Sequence, residues 1–164
     1  MKAHELIKVI DPELRKQIIT YVQTDERPAY RAVIDSLAGQ RKLRPQFILE
    51  KSRAQQADWL TEQLAAKVND PVAEQLLQIW LLKSQPTMLT TFLDAVGIAH
   101  DGKGQVDELP EEITEEKANE GIQALLAAFP APQVGLYLHM FQLQRPEGWP
   151  GLNKAIAEND AVKI

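Results

Sequence analysis

The 164-residue chain has no cysteine. That excludes a disulfide framework, a thiolate zinc site and a cysteine nucleophile, and it fits a reducing, cytoplasmic setting. Histidine is scarce: His4, His100 and His139 are the whole supply. Long apolar runs are also missing. The strongest, near Ile79–Leu82 and Gly135–Phe141, fall far short of the ~20 residues a membrane span needs. The segment Met1-Lys2-Ala3-His4-Glu5 lacks the apolar core of a signal peptide. No Gly-x-Ser-x-Gly elbow, no His-Glu-x-x-His helix and no glycine-rich dinucleotide loop occurs. These absences leave the chain without a recognisable catalytic signature, and no cofactor is expected.

Proline, by contrast, is plentiful, with ten residues. Asp11-Pro12, Arg27-Pro28, Asp70-Pro71, Gln85-Pro86 and Ala131-Pro132 each precede an apolar stripe at helical spacing. Proline is tolerated at the first helical position because its missing N–H would have no intrahelical acceptor there. Leu14, Ile18 and Val22 form one stripe; Tyr30, Val33, Ile34 and Leu37 form the next. Ser52 and Thr114 read as N-caps, and Gly97 as a C-terminal cap. Helices near 72–82 and 133–144 are apolar on most faces, which predicts that both are buried. The fold expectation is all-α: a single compact, irregular domain over residues 1–164, with eight or nine short helices. The turn residues Asp101-Gly102-Lys103-Gly104 also admit a tiny β-hairpin near 98–107. The proline spacing 12, 28, 45 suggests a repeat, but no side-chain pattern recurs with it.

The helical rhythm fails over residues 98–112. Asp101, Asp107 and Glu108 offer oxygen donors there, and His100 stands beside Asp101. These four are the candidate metal ligands, and with nearby carboxylates they would serve a metal-dependent hydrolase. A calcium loop does not fit. With Gly104 as its invariant glycine, the first, fifth and twelfth positions fall on Ala99, Lys103 and Pro110. Gly97-x-x-x-x-Gly102-Lys103-Gly104 lacks the hydroxyl of a phosphate loop and the strand that should precede it.

Charge is unevenly spread. Residues 1–53 hold 11 Lys/Arg against 7 Asp/Glu, while the rest hold 7 against 16. The run Arg41–Arg53 includes Arg41, Lys42 and Arg44 and five cations in all, against the single anion Glu50. Such a run can contact phosphates, although the acidic balance of the whole chain, a net −5, opposes nucleic-acid binding. Leu43, Phe47, Ile48 and Leu49 are expected to anchor it to the core as a short helix. Trp59 lies beside the stripe of Ala57, Leu60 and Leu64, so its helix offers a second apolar face to a partner. The leading expectation is a cytoplasmic helical protein–protein interaction domain without catalytic activity. Its interaction residues are Trp59, Arg41, Lys42 and Arg44, and its partner is another protein or a second copy. The metal-dependent hydrolase and weak nucleic-acid binding through Arg41–Arg53 stand as alternatives.

Overall fold

In the computed structural model, which describes residues 1–164, ten α-helices follow one another and no strand forms. They are α1 (Ala3–Val9), α2 (Pro12–Asp25), α3 (Arg27–Gln40), α4 (Pro45–Leu49) and α5 (Arg53–Leu64). After a 3-10 turn (Lys67–Asn69) come α6 (Asp70–Ser84), α7 (Pro86–Val96), α8 (Glu115–Ala128), α9 (Ala131–Gln142) and α10 (Pro150–Glu158). Proline occupies one of the first two positions of α2, α3, α4, α7, α9 and α10. The expected caps form. Ser52 accepts from the Gln55 amide and Thr114 from Lys117, and Asp11, ahead of Pro12, adds a further cap by accepting from Glu13 and Leu14. Gly97 ends α7 at φ 77°, a left-handed conformation that glycine adopts without a Cβ penalty. No helix is long and apolar enough to cross a membrane.

The chain divides into two compact units, Met1–Trp80 and Leu81–Ile164, with the boundary inside α6. In the first unit, α2 packs on α3 and α5, α4 packs on α3, and α1 packs on α5 and the 3-10 turn. Leu6, Ile34, Ile48, Leu60 and Leu64 are fully buried there. A buried polar chain ties these helices together. The Gln23 side-chain amide donates to the Tyr30 hydroxyl at 3.0 Å, and that hydroxyl donates to Gln56 Oε1 at 2.5 Å. Each member has a partner, as buried polar groups require. Burial pushes the Tyr30 phenol above its ordinary value, only partly offset by the hydrogen bond from Gln23.

In the second unit α8 packs on α7, α9 and α10. Phe92, Tyr137, Phe141 and Trp149 form an aromatic cluster, with Phe141 and Trp149 stacked 4.9 Å apart. Gly151 sits tightly against backbone: a Cβ there would lie 2.3 Å from Ile113 O and 2.6 Å from Glu115 N. Helix α9 is buried along most of its length, as its composition predicts. Helix α6 is buried less completely, with Val72, Ile79 and Leu82 only half-covered.

The hairpin admitted near 98–107 does not form. The Asp101 carboxylate accepts from the amides of Lys103 and Gln105, folding the segment onto itself. Side-chain bonding of this kind competes with a strand ladder. One backbone bond, Asp101 N to Gln105 O, crosses the turn.

Candidate functional site

The basic run starts where α3 stops. Leu43 N–H donates to Ala38 O at 2.8 Å and Lys42 N–H to Gly39 O at 3.1 Å. This is the double bonding pattern of a Schellman motif, in which glycine normally takes the left-handed position. Here that position is Lys42, at φ 56°, the one non-glycine residue of the chain with positive φ. Such a conformation costs a lysine of the order of 1 kcal/mol or more. Lys42→Gly is therefore expected to stabilise the first unit by about 1 kcal/mol. A raised urea midpoint at unchanged slope would show this; a lowered midpoint would mean that the lysine is not strained.

Helix α4 then turns one face inward. Ile48 is fully buried, whereas Leu43 is 36% and Phe47 57% exposed. This corrects the expectation that Leu43, Phe47, Ile48 and Leu49 together anchor the segment. A five-residue helix covers little more than one turn, so neighbouring side chains diverge by ~100° and only one reaches the core. Carbonyl clamps hold the segment instead. The Gln56 side-chain amide donates to Lys51 O at 2.8 Å and Leu49 O at 3.2 Å. Arg41 Nε donates to Gln63 Oε1 at 2.8 Å.

The result is a fixed, exposed surface of mixed chemistry. Arg41, Lys42, Arg44 and Arg53 are exposed, and none of the run's five cations lies within 4.0 Å of a carboxylate. Lys51 Nζ stands over the Phe47 ring, 4.8 Å from its centre. Trp59 is only half-exposed on α5, so it offers a partner less than Phe47 does. Phe47 was not singled out by sequence reasoning because it reads as part of an apolar anchor.

The 98–112 segment is organised differently. His100 Nδ1 accepts from the Gly102 amide at 3.0 Å. The ring proton then resides on Nε2, which donates to Asp94 Oδ1 at 2.7 Å. Both ring nitrogens are thus engaged within the fold. Backbone hydrogen bonds from Lys103 and Gln105 hold the Asp101 carboxyl below its ordinary value. Asp107 and Glu108 point into solvent, and no group of three His, Asp or Glu side chains is placed to share a metal ion. Farther on, Pro110 O accepts from Trp149 Nε1 at 2.9 Å and from the Arg145 guanidinium at 3.2 Å. Arg145 also bonds Glu111 O. Gly104, at φ 100°, lies so near Leu89 that a Cβ there would fall 2.6 Å from its side chain.

The other two histidines lie within helices α1 and α9. His4 is buried, and both its backbone amide and Nδ1 bond Asp70 Oδ1, at 3.0 and 2.6 Å. Partial burial pulls the Asp70 carboxyl upward, but these bonds outweigh it and hold it below the ordinary range. His139 has a buried Nε2 with no partner, and burial pulls its pKa below 6.5. The folded state thus resists protonating His139 more than the unfolded chain does. Its stabilising contribution is complete above pH 6.5 and falls as the pH drops from there through the folded value. Urea midpoints measured at intervals from pH 8 to 5 should show a decline in wild type that is shallower in His139→Gln. Parallel curves would refute this assignment.

Comparison with family models, with curated proteins and with solved structures finds no match.

Proposed function

We propose that this chain is a cytoplasmic protein-interaction module without catalytic activity, and that its docking face is the Arg41–Arg53 surface. The observation that carries the reading is Phe47, 57% exposed among cations that have no carboxylate partner, on a segment clamped by Gln56. Interfaces draw much of their affinity from such aromatic and arginine anchors, and a surface held rigid before binding loses less entropy on docking. The hydrolase alternative draws no support from His100, whose two nitrogens are already bonded.

A photo-crosslinking residue at position 47 tests the proposal in cells. Discrete protein adducts are expected, and they should disappear in the Lys42→Glu/Arg44→Glu background. A probe at the exposed position Gln123 serves as control. Equal labelling from both positions would remove the reading. The same exposed cations around an aromatic ring favour nucleic acid as the second reading. A gel shift that weakens steeply with salt, and is lost in the double variant, would put it first.

A further inference from the structure

Resting on the interaction reading above, we infer that the partner which covers the Arg41–Arg53 surface is a second copy of this chain, docking through its acidic segment 107–112. The two segments are complementary in charge and in pattern. On one, exposed Leu43 sits between Lys42 and Arg44, with Phe47 exposed on the following helix. On the other, exposed Leu109 sits between Glu108 and Glu111, with Asp107 and Glu112 exposed at the ends. None of these four carboxylates is paired with a cation within 4.0 Å.

Leu109 is what selects this acidic stretch over the chain's other carboxylates. It is the one exposed large hydrophobic residue of the Leu81–Ile164 unit. An apolar side chain ringed by unpaired charge is poorly placed in water, and it suits a partner that offers an apolar contact ringed by the opposite charge. Both segments are also fixed before any encounter. Gln56 holds the basic one by the carbonyls of Leu49 and Lys51. Trp149 and Arg145 hold the acidic one by the carbonyls of Pro110 and Glu111. Two rigid surfaces pay little ordering entropy on docking. Steering between opposite charges gives the contact its speed and makes it weaken with salt.

Charge exchange tests this with the full chain. Lys42→Glu/Arg44→Glu cancels the net charge of the basic segment, and Glu108→Lys/Glu111→Lys cancels that of the acidic one. All four positions are exposed, and unchanged melting curves would show that each variant folds. Sedimentation of wild type should give a mass above 18.4 kDa that rises with concentration and falls toward monomer at high salt. Each variant alone should be monomeric, with at least a tenfold loss of association. Mixing the two variants should restore it in part, because the intact basic segment of one then meets the intact acidic segment of the other. Wild type that stays monomeric at every concentration overturns the inference. So does association that both variants retain, or variants that fail to rescue each other. The interaction reading falls separately: if wild type is monomeric but position 47 still yields a Lys42- and Arg44-dependent adduct with another protein, only the second-copy inference is lost. Duplex DNA retarded by wild type and by Glu108→Lys/Glu111→Lys, with no self-association, would point to nucleic acid and overturn both.

Discussion

Gly151→Ala should destabilise the Leu81–Ile164 unit by about 3 kcal/mol, the upper end of the usual overpacking range. The added methyl would sit 2.3 Å from Ile113 O, 2.6 Å from Glu115 N and 2.8 Å from Thr114 C. All three are backbone atoms, so no rotamer change can relieve the overlap. To make room, α10 must move away from the start of α8, against which it packs. That movement would disturb Leu152, Ala155 and Ile156, all buried. A useful contrast is Gly39→Ala. Nothing lies within 4 Å of a Cβ built at Gly39, inside α3, and alanine there should stabilise the helix by roughly 0.5–1 kcal/mol. Urea unfolding of both variants is decisive: Gly151→Ala as stable as wild type would mean that the close approach of α10 to Ile113 is wrong.

The second large effect belongs to Trp149. It is fully buried, stacked on Phe141 and bonded through Nε1 to Pro110 O. Trp149→Ala should cost about 3–5 kcal/mol through lost burial and the void left behind. Trp149→Phe should cost less, because a ring still fills most of the space and can stack on Phe141. The two should agree in one respect: proteolytic cleavage should quicken within residues 107–112, the segment that the indole clamps. A Trp149→Ala protein that unfolds at the wild-type urea midpoint would show that the stack with Phe141 does not bear on stability.

How much of this was legible from residues alone varies with the range of the interaction. Proline acts on its own φ and its own missing amide, so Pro12, Pro28, Pro86 and Pro132 mark helix starts correctly. Caps are similarly local, and Ser52, Thr114 and Gly97 cap their helices as their residue types predict. The end of α3 was harder. Gly39, the glycine nearest that end, lies inside the helix, and Lys42 takes the left-handed position three residues on. Nothing in the composition of Arg41-Lys42-Leu43 announces that. Burial within α4 was misjudged for a related reason: Phe47 and Ile48 are equally apolar, and only the position of α3 decides which one is covered.

Interactions distant along the chain left the faintest trace. The bond from the Trp149 indole to Pro110 O spans 39 residues. His4 has no local signature of its role, because its partner lies 66 residues away. Asp70 was read as the start of α6, which it is, and its second role toward α1 has no local signature. The candidate surface was half legible. The cations of Arg41–Arg53 were evident, but their rigidity comes from Gln56 and Gln63 on α5, and those glutamines look like ordinary helix-surface residues.

The bond between His4 and Asp70 also bears on the order in which the protein takes shape during synthesis. Helix α1 has seven residues, too few to hold together alone in water. Its second amide is satisfied by a carboxylate that belongs to residue 70. A nascent chain leaves the ribosome from its N-terminus, so residues 3–9, with only the local bond from the Lys2 amide to Glu5 at their start, must wait for Asp70 through the making of α2 to α5. Helix α1, made before the rest of its unit, gains this bond only after α5, on which it also packs, has been made. The bond to Asp70 ties the beginning of the Met1–Trp80 unit to its end.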